Sequence, residues 1–116
     1  MGFECFEDIE VWQKSKILTI DIYTYTELSK DFGFRDQIRR AAVSVMNNIA
    51  EGYERRTNKE FRQYLFVARG SCSEVKSMLH LALELSNIDQ DQYERLISQT
   101  VEISKMLSGL IRSMKV

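Results

Sequence analysis

The sequence predicts an all-α protein, an antiparallel up-and-down four-helix bundle. The chain of 116 residues contains no proline and only five glycines, so the residues that punctuate loop-rich β folds are nearly absent. Apolar residues recur every three or four positions in four long segments, which is the period of an amphipathic helix. Short turns separate the segments, as expected where successive helices are antiparallel neighbours. The length allows one domain, residues 1–116.

The first predicted helix covers about residues 6–29. Val11, Leu18 and Ile22 belong to a charge-free stripe whose members are three or four positions apart. We expect Gly33 to end this segment as a left-handed C-cap, because glycine adopts positive φ without a steric penalty.

The second predicted helix covers about residues 35–54, and its core side is rich in small residues that permit close helix approach. This core side consists of Ile38, Ala41, Ala42, Val45, Ile49 and Tyr53. A polar line lies on the opposite side and consists of Arg40, Ser44, Asn47 and Glu51. We favour a structural role for the line, in hydrogen bonds between helices, over an intersubunit contact or a ligand groove. Gly52 is expected to lead into the following turn.

The third and fourth predicted helices cover about residues 58–86 and 90–114. Each begins at a capping pattern, Thr57 with Glu60 and Asp89 with Gln92. The core stripe of the third is Phe61, Leu65, Ala68, Cys72, Val75, Leu79 and Ala82. The stripe of the fourth is Tyr93, Ile97, Thr100, Ser104, Leu107, Ile111 and Met114.

Gly70 and Ser71 interrupt the third helix with small residues. A glycine inside a helix costs about 1 kcal/mol relative to alanine. We therefore expect Gly70 to allow close backbone approach of a neighbouring helix.

Several functional classes find no support in the sequence. The acidic start and the absence of a long apolar run argue against a secretory signal or a membrane span. Cys5 and Cys72 match no metal or redox spacing, which predicts a cytoplasmic protein with reduced thiols. His80 is the single histidine, and no catalytic motif accompanies it. We predict no enzyme activity, no catalytic residues, no metal and no cofactor.

The distribution of charge is more informative than the formal net charge of -1. Residues 1–31 carry three basic and seven acidic side chains, net -4, whereas residues 32–69 carry eight and four, net +4. On the third helix, cations alternate with Phe66 along one face, as in a track for phosphates and bases. The candidate nucleic-acid or partner-binding residues are Arg55, Arg56, Lys59, Arg62, Phe66, Arg69 and Lys76. The alternative is a solvated face with i,i+4 ion pairs, such as Glu51 with Arg55.

Two helices carry more apolar surface than one bundle core buries. A second strip on the first and third helices predicts a subunit interface, because exposed apolar patches mark contact sites. The candidate oligomer-interface residues are Ile9, Trp12, Ile20, Tyr23, Val67, Met78, Leu81 and Leu85.

Four blocks of the sequence carry a family resemblance: residues 37–45 (QIRRAAVSV), 48–52 (NIAEG), Glu60-Phe61, and 68–71 (ARGS). Together with the opening run from Phe6 to Trp12, they resemble the four-helix bundle proteins encoded in intervening sequences of 23S rRNA genes, the S23 ribosomal protein family. The resemblance extends over nearly the whole chain. The departures are small: the first turn lacks a proline, and Phe34 and Val75 replace the usual leucines.

The resemblance implies an all-helical bundle that assembles as a ring-like homopentamer. It also implies kinship with the accessory variability determinant of diversity-generating retroelements, a basic pentamer that binds a reverse transcriptase and nucleic acid. It offers no catalytic residues. The matching motif residues are implied to be mostly structural or oligomeric: Arg39, Arg40, Ser44, Asn48, Glu51, Gly70 and Ser71.

The leading functional hypothesis is a non-catalytic, oligomeric protein that associates with RNA through a basic face. The alternative is a protein-interaction scaffold that docks an acidic or nucleic-acid-bound enzyme partner without binding RNA directly. A helix-turn-helix DNA binder using the turn near Arg55 is disfavoured, because both flanking helices are longer than such modules use.

Overall fold

Four helices and one short 3₁₀ turn make up most of the described chain. The helices are α1 (Glu10–Tyr25), α2 (Phe32–Tyr53), α3 (Asn58–Glu84) and α4 (Gln90–Ser113), and the turn is Phe6–Asp8. The computed structural model describes residues 2–116, and no strand occurs in this range. The molecule measures 43 × 21 × 19 Å. None of the helices within residues 2–116 has the length and apolar character needed to cross a bilayer.

The helices pack in cyclic order, so each contacts its neighbours in sequence and α4 returns to contact α1. Ser44 in α2 meets Ser71 in α3 with 2.8 Å between their hydroxyl oxygens. Gly52, later in α2, approaches Phe61, earlier in α3, so these two helices run antiparallel. The fold is thus the up-and-down bundle that the sequence predicts.

The core lies along the axis between the four helices and agrees closely with the predicted stripes in α2 and α3. All seven predicted core residues of α3 are buried, as are those of α2 except the half-buried Tyr53. In α4 the buried line is shifted and consists of Leu96, Thr100, Ile103, Leu107 and Ile111. Of the predicted stripe, Thr100, Leu107, Ile111 and Met114 are buried, whereas Tyr93, Ile97 and Ser104 are only half-buried. Adjacent helix positions are only about 100° apart, so the apolar period alone does not decide which of two neighbours faces the core.

The first helix is shorter than predicted, and the role expected for Gly33 is wrong. Ile9 adopts an extended conformation between the 3₁₀ turn and α1. At the other end, the Thr26 hydroxyl donates to the Ile22 carbonyl at 2.7 Å, and α1 stops there. Gly33 lies in the first turn of α2, which begins earlier than expected because Asp31 caps it by accepting from the Phe34 amide.

The remaining predictions about glycines concern Gly52 and Gly70. Gly52 lies at the end of α2 just before the turn, as predicted, but it is also buried, and a Cβ there would lie 2.6 Å from Tyr64 Cβ. Gly70 is exposed on α3, and a Cβ there would meet no atom within 4 Å. The close contact between α2 and α3 therefore depends on Gly52, and the close approach predicted at Gly70 does not occur between the described helices.

The predicted caps of α3 and α4 are present. The Thr57 hydroxyl accepts from the Glu60 amide at 3.1 Å. Asp89 and Gln92 form a complete, reciprocal capping box at the start of α4. At its other end, α3 closes with Ser86 in the left-handed region (φ 59°), and the amide of residue 87 donates to the carbonyl of residue 82 at 2.9 Å. This pair of features is the Schellman arrangement, with serine in the usual glycine position.

Candidate nucleic-acid interface

An aromatic ring between two arginines lies on the side of α3 that borders α4. The guanidinium carbon of Arg62 lies 5.6 Å from the Phe66 ring centroid, and that of Arg69 lies 4.9 Å from it. Phe66 retains 40% exposure although both arginines contact it. We call these three residues the aromatic platform. Its helical spacing brings the side chains together because residues three and four apart are neighbours on a helix surface.

The positive charge on this face of α3 is not neutralised by carboxylates of the described chain. Arg62, Arg69 and Lys76 form no ion pair with any carboxylate of residues 2–116. The Nε of Arg62 is buried without a hydrogen-bond partner in the described chain. The alternative of a face laced with i,i+4 ion pairs therefore does not apply to these three cations.

A groove of about 500 Å³ continues from the platform between α3 and α4. Its lining residues are Cys72, Ser73, Lys76, Thr100, Val101, Ser104, Lys105, Ser108 and Arg112. Three of the nine are cations and none is a carboxylate. Arg69 connects the platform to this basic groove, since its Nη1 donates to the Ser108 hydroxyl at 3.2 Å. Cations and hydroxyl donors without competing carboxylates suit phosphate groups.

Cys72 lies where the groove meets the core. Burial raises the pKa of its thiol to about 11, and its Sγ donates to the Thr100 carbonyl at 3.3 Å. The thiol is therefore protonated at neutral pH and is no nucleophile, since the thiolate is the reactive form.

The predicted binding residues of the α2–α3 turn do not all join this face. The Arg55 guanidinium lies 2.8 Å from a Glu51 carboxylate oxygen and bonds the Tyr64 hydroxyl. Tyr64 precedes Phe66 by two positions, which places it roughly 160° around α3 from Phe66. Arg55 is thus half of an ordinary i,i+4 pair on the α2 side of α3, and its predicted place in the cationic track is wrong. Arg56 and Lys59 are exposed, and their role stays a prediction.

The predicted oligomer-interface residues divide into three groups. Ile9 is only 2% exposed and belongs to the core of the bundle, so its predicted place in an interface is wrong. Its extended backbone before α1 turns the side chain inward. Trp12 and Met78 are partly buried against the core. The other five are exposed as expected: Ile20, Tyr23, Val67, Leu81 and Leu85.

Part of the polar line on α2 has the structural role that we favoured. Besides the Ser44–Ser71 bond, Asn48 Nδ2 donates to the Ser44 hydroxyl at 3.0 Å and to the Ser44 carbonyl at 2.8 Å. Arg40 and Asn47 are exposed. This network connects α2 to α3 on the side away from the basic groove.

Sequence analysis missed the contribution of α4 to the groove. Val101, Lys105, Ser108 and Arg112 recur at steps of four and three, and the last three line one wall with Lys76 opposite. Their spacing was visible in the sequence. The basic character of this face of α4 was not evident from the charge distribution, because residues 70–116 as a whole carry a net charge of -1.

The described residues contain no group of three or more His, Cys, Asp or Glu side chains placed to hold a metal ion. His80 is exposed, and its Nδ1 lies 3.1 Å from the Tyr93 hydroxyl. This contact joins the end of α3 to the start of α4.

Fold and surface together define a helical-bundle protein with a cationic groove between its last two helices. The family model for the 23S rRNA-intervening sequence protein matches residues 7–109. The chain belongs to this family. The description of the family names no catalytic activity.

The known proteins similar to this chain include a solved structure and a segment of an enzyme. The first is the crystal structure of a protein with unknown function from the S23 ribosomal protein family of Bacteroides thetaiotaomicron VPI-5482. It has a TM-score of 0.83 and 27% identity, and the similarity covers 89% of this chain and 99% of that one. The second is a cysteine–tRNA ligase of Mycoplasmopsis pulmonis (strain UAB CTIP), 27% identical over 93 residues. This match covers 80% of the present chain but only 16% of the ligase.

Proposed function

We propose that this protein is a non-catalytic, cytoplasmic RNA-binding bundle whose contact surface is the aromatic platform and the basic groove. One observation carries the proposal: Arg62, Arg69, Lys76, Lys105 and Arg112 converge on one side of the α3–α4 pair with no acidic residue in the groove lining. Uncompensated cations gain affinity for a polyanion by releasing its counterions. The serine hydroxyls beside them provide donors for phosphate oxygens.

The comparisons support an association with RNA. The family description refers to 23S rRNA genes, and a segment similar to this chain occurs in a protein named as a tRNA ligase. Segments similar to this chain are thus connected by name with two kinds of RNA.

Self-association is part of the proposal. The exposed strips on α1 and α3 leave Ile20, Val67 and Leu85 in water, which is unfavourable for side chains of this size. A homo-oligomer, a pentamer by the family resemblance, would cover them and repeat the groove around the assembly. Several weak contacts then act together as one stronger interaction.

The proposal is tested by fluorescence anisotropy with a labelled RNA hairpin that carries an unpaired tail, at salt concentrations from about 50 to 200 mM. We expect micromolar or tighter binding with a steep salt dependence. Reversing the charges of Arg62, Arg69 and Lys76 to glutamate removes three phosphate contacts, so the slope of log K against log salt should become shallower by about 2 to 3.

A matched control carries three charge reversals elsewhere, at Lys16, Lys30 and Arg40. These residues are exposed on α1, the α1–α2 turn and α2, and they alter the net charge equally. The control should retain most of the affinity. Absence of binding by the wild-type protein at low salt, or equal losses in both triple variants, would refute a specific role for the groove.

The match to the tRNA ligase favours one second candidate. In the ligase, a segment similar to this chain is joined to an RNA-handling enzyme. That arrangement is expected if the bundle is a scaffold that docks such an enzyme, while the enzyme itself contacts the RNA. This candidate predicts weak RNA binding by the isolated protein and a stable protein partner in a pull-down. The same charge reversals would leave that partner bound if it docks on the exposed α1 and α3 strips.

A further inference from the structure

We infer that the platform and groove recognise unpaired RNA, with one base stacked at Phe66 and the backbone phosphates following the groove. This inference deepens the proposed function and rests on it. The observation behind it is the direct continuity between an exposed aromatic ring and a recessed cationic groove, which Arg69 joins by contacting both Phe66 and Ser108.

The aromatic platform suits a base that has left its stack. Phe66 is 40% exposed, and planar guanidinium groups lie within 6 Å of its ring. Aromatic rings and guanidinium planes are the surfaces on which proteins stack unpaired bases. The platform presents one aromatic ring and two guanidinium groups within one stretch of α3. Because every base has a π-face, such a platform selects unpaired nucleotides without selecting a sequence.

A duplex uses these features poorly. Its bases are stacked inside the helix, and the major groove of A-form RNA is too deep and narrow for side chains to enter. Phe66 would then contact only the sugar-phosphate surface. The groove is also recessed between α3 and α4, with Cys72 and Thr100 in its lining. A flexible single strand can follow a channel of about 500 Å³, whereas a rigid duplex would rest on its rim.

The length of the surface limits the bound segment. Arg62 and Lys76 are fourteen positions apart on α3, which corresponds to roughly 21 Å at about 1.5 Å per residue. A stacked strand advances about 3.4 Å per nucleotide, so one subunit accommodates at most about six nucleotides.

The test compares two labelled probes with equal numbers of phosphates: an unstructured oligouridylate and a blunt-ended RNA hairpin closed by a non-nucleotide linker, so that the hairpin offers no unpaired base. Anisotropy titrations at fixed salt use the wild-type protein and Phe66→Leu, which keeps an apolar side chain and removes the ring. We expect tighter binding of the single strand by the wild type. We expect Phe66→Leu to weaken single-strand binding about 5- to 150-fold, the effect of losing one base–aromatic stack. Binding of the hairpin should change less than about twofold.

Two further variants guard against trivial explanations. Phe66→Trp retains a stacking surface and should preserve the preference for the single strand. Phe32→Leu is the matched control, because Phe32 is also an exposed phenylalanine, 58% accessible, with an arginine guanidinium 4.7 Å from its ring. It lies at the start of α2, outside the groove, and its substitution should leave both probes unaffected.

The outcomes separate this inference from the proposed function. Equal affinity for hairpin and single strand, or an equal effect of Phe66→Leu on both, contradicts the inference and leaves RNA binding by the groove intact. Failure of the oligouridylate, the blunt hairpin and the tailed hairpin to bind contradicts both.

Discussion

Gly52→Ala tests the closest helix contact in the bundle. Gly52 is buried in the last turn of α2, where α2 passes the beginning of α3. A Cβ added there would lie 2.6 Å from Tyr64 Cβ, 2.9 Å from Phe61 Cδ1 and 3.3 Å from the Phe61 carbonyl oxygen. Tyr64 Cβ is fixed to the backbone of α3 and cannot move away by a change of rotamer. The helices themselves must therefore separate.

The size of the effect follows from these distances. Carbon atoms attract best at about 3.5–4.0 Å, so relieving the contact with Tyr64 requires a displacement of about 1 Å. Overpacking of this kind typically costs about 1–3 kcal/mol. Alanine recovers up to about 1 kcal/mol through its higher helix propensity, but Gly52 is the next-to-last residue of α2, where this gain is small. We expect a net loss of about 2 kcal/mol in the free energy of unfolding.

Gly70→Ala is the matched control because the same methyl group has the opposite consequence there. Gly70 lies in the interior of α3, exposed, with no atom within 4 Å of a Cβ. Only the propensity gain remains, so this variant should be more stable by up to about 1 kcal/mol.

Urea unfolding followed by circular dichroism, at one fixed protein concentration, measures both variants. The midpoint should fall for Gly52→Ala and rise for Gly70→Ala, with unchanged m-values. An unchanged or higher midpoint for Gly52→Ala would refute the contact geometry between α2 and α3. A loss of stability in Gly70→Ala that depends on protein concentration would place a second subunit on that face of α3.

Three further predictions concern groups whose partners are defined in the structure. Burial raises the pKa of Cys72 from 9.0 to about 11. As the pH rises, the thiol of the unfolded chain therefore loses its proton before that of the folded protein, and the free energy of unfolding should fall by about 2–3 kcal/mol between pH 9 and 11. Urea titrations at a series of pH values measure this decrease, and the part due to Cys72 should be absent in Cys72→Ala. Asp89→Ala removes the cap of α4 and should lower the thermal midpoint through a loss of about 1 kcal/mol, whereas Asp91→Ala, in the same turn without a capping bond, should have little effect. A double-mutant cycle of Ser44→Ala and Ser71→Ala should give a coupling energy of about 0.5–1.5 kcal/mol in urea unfolding, and additive effects would contradict the 2.8 Å bond.

Much of the candidate site was predictable because its residues share one helix. Arg62, Phe66, Arg69 and Lys76 recur at steps of four, three and seven, so they must share a face of α3 wherever that helix packs. The orientation of Arg55 could not be predicted in the same way. Arg55 follows α2 in a turn, and its direction was set by Glu51 and Tyr64 from two different helices.

The errors at Gly33 and Gly70 and the unpredicted close approach at Gly52 have a common physical origin. A glycine can be needed because the backbone adopts a positive φ, because another helix approaches it closely, or for neither reason. The position of the glycine in the sequence does not distinguish these three cases. Asp31 competes with Gly33 for the boundary between the first two helices, and the cap formed by Asp31 prevails. Whether a glycine meets another helix depends on the rotation of both helices, which is a property of the packed bundle.

The sequence by itself determined the helical class, the core stripes of α2 and α3 and the caps of α3 and α4. These features depend on residues within a few positions of one another, where helix geometry dictates which side chains meet. Only the tertiary structure decided that α4 completes the groove with Lys105 and Arg112, that Ile9 turns into the core, and that Gly52 rather than Gly70 permits close packing. Each of these depends on how far apart two helices lie and how each is rotated about its axis, and that geometry arises only when all four apolar faces are buried together.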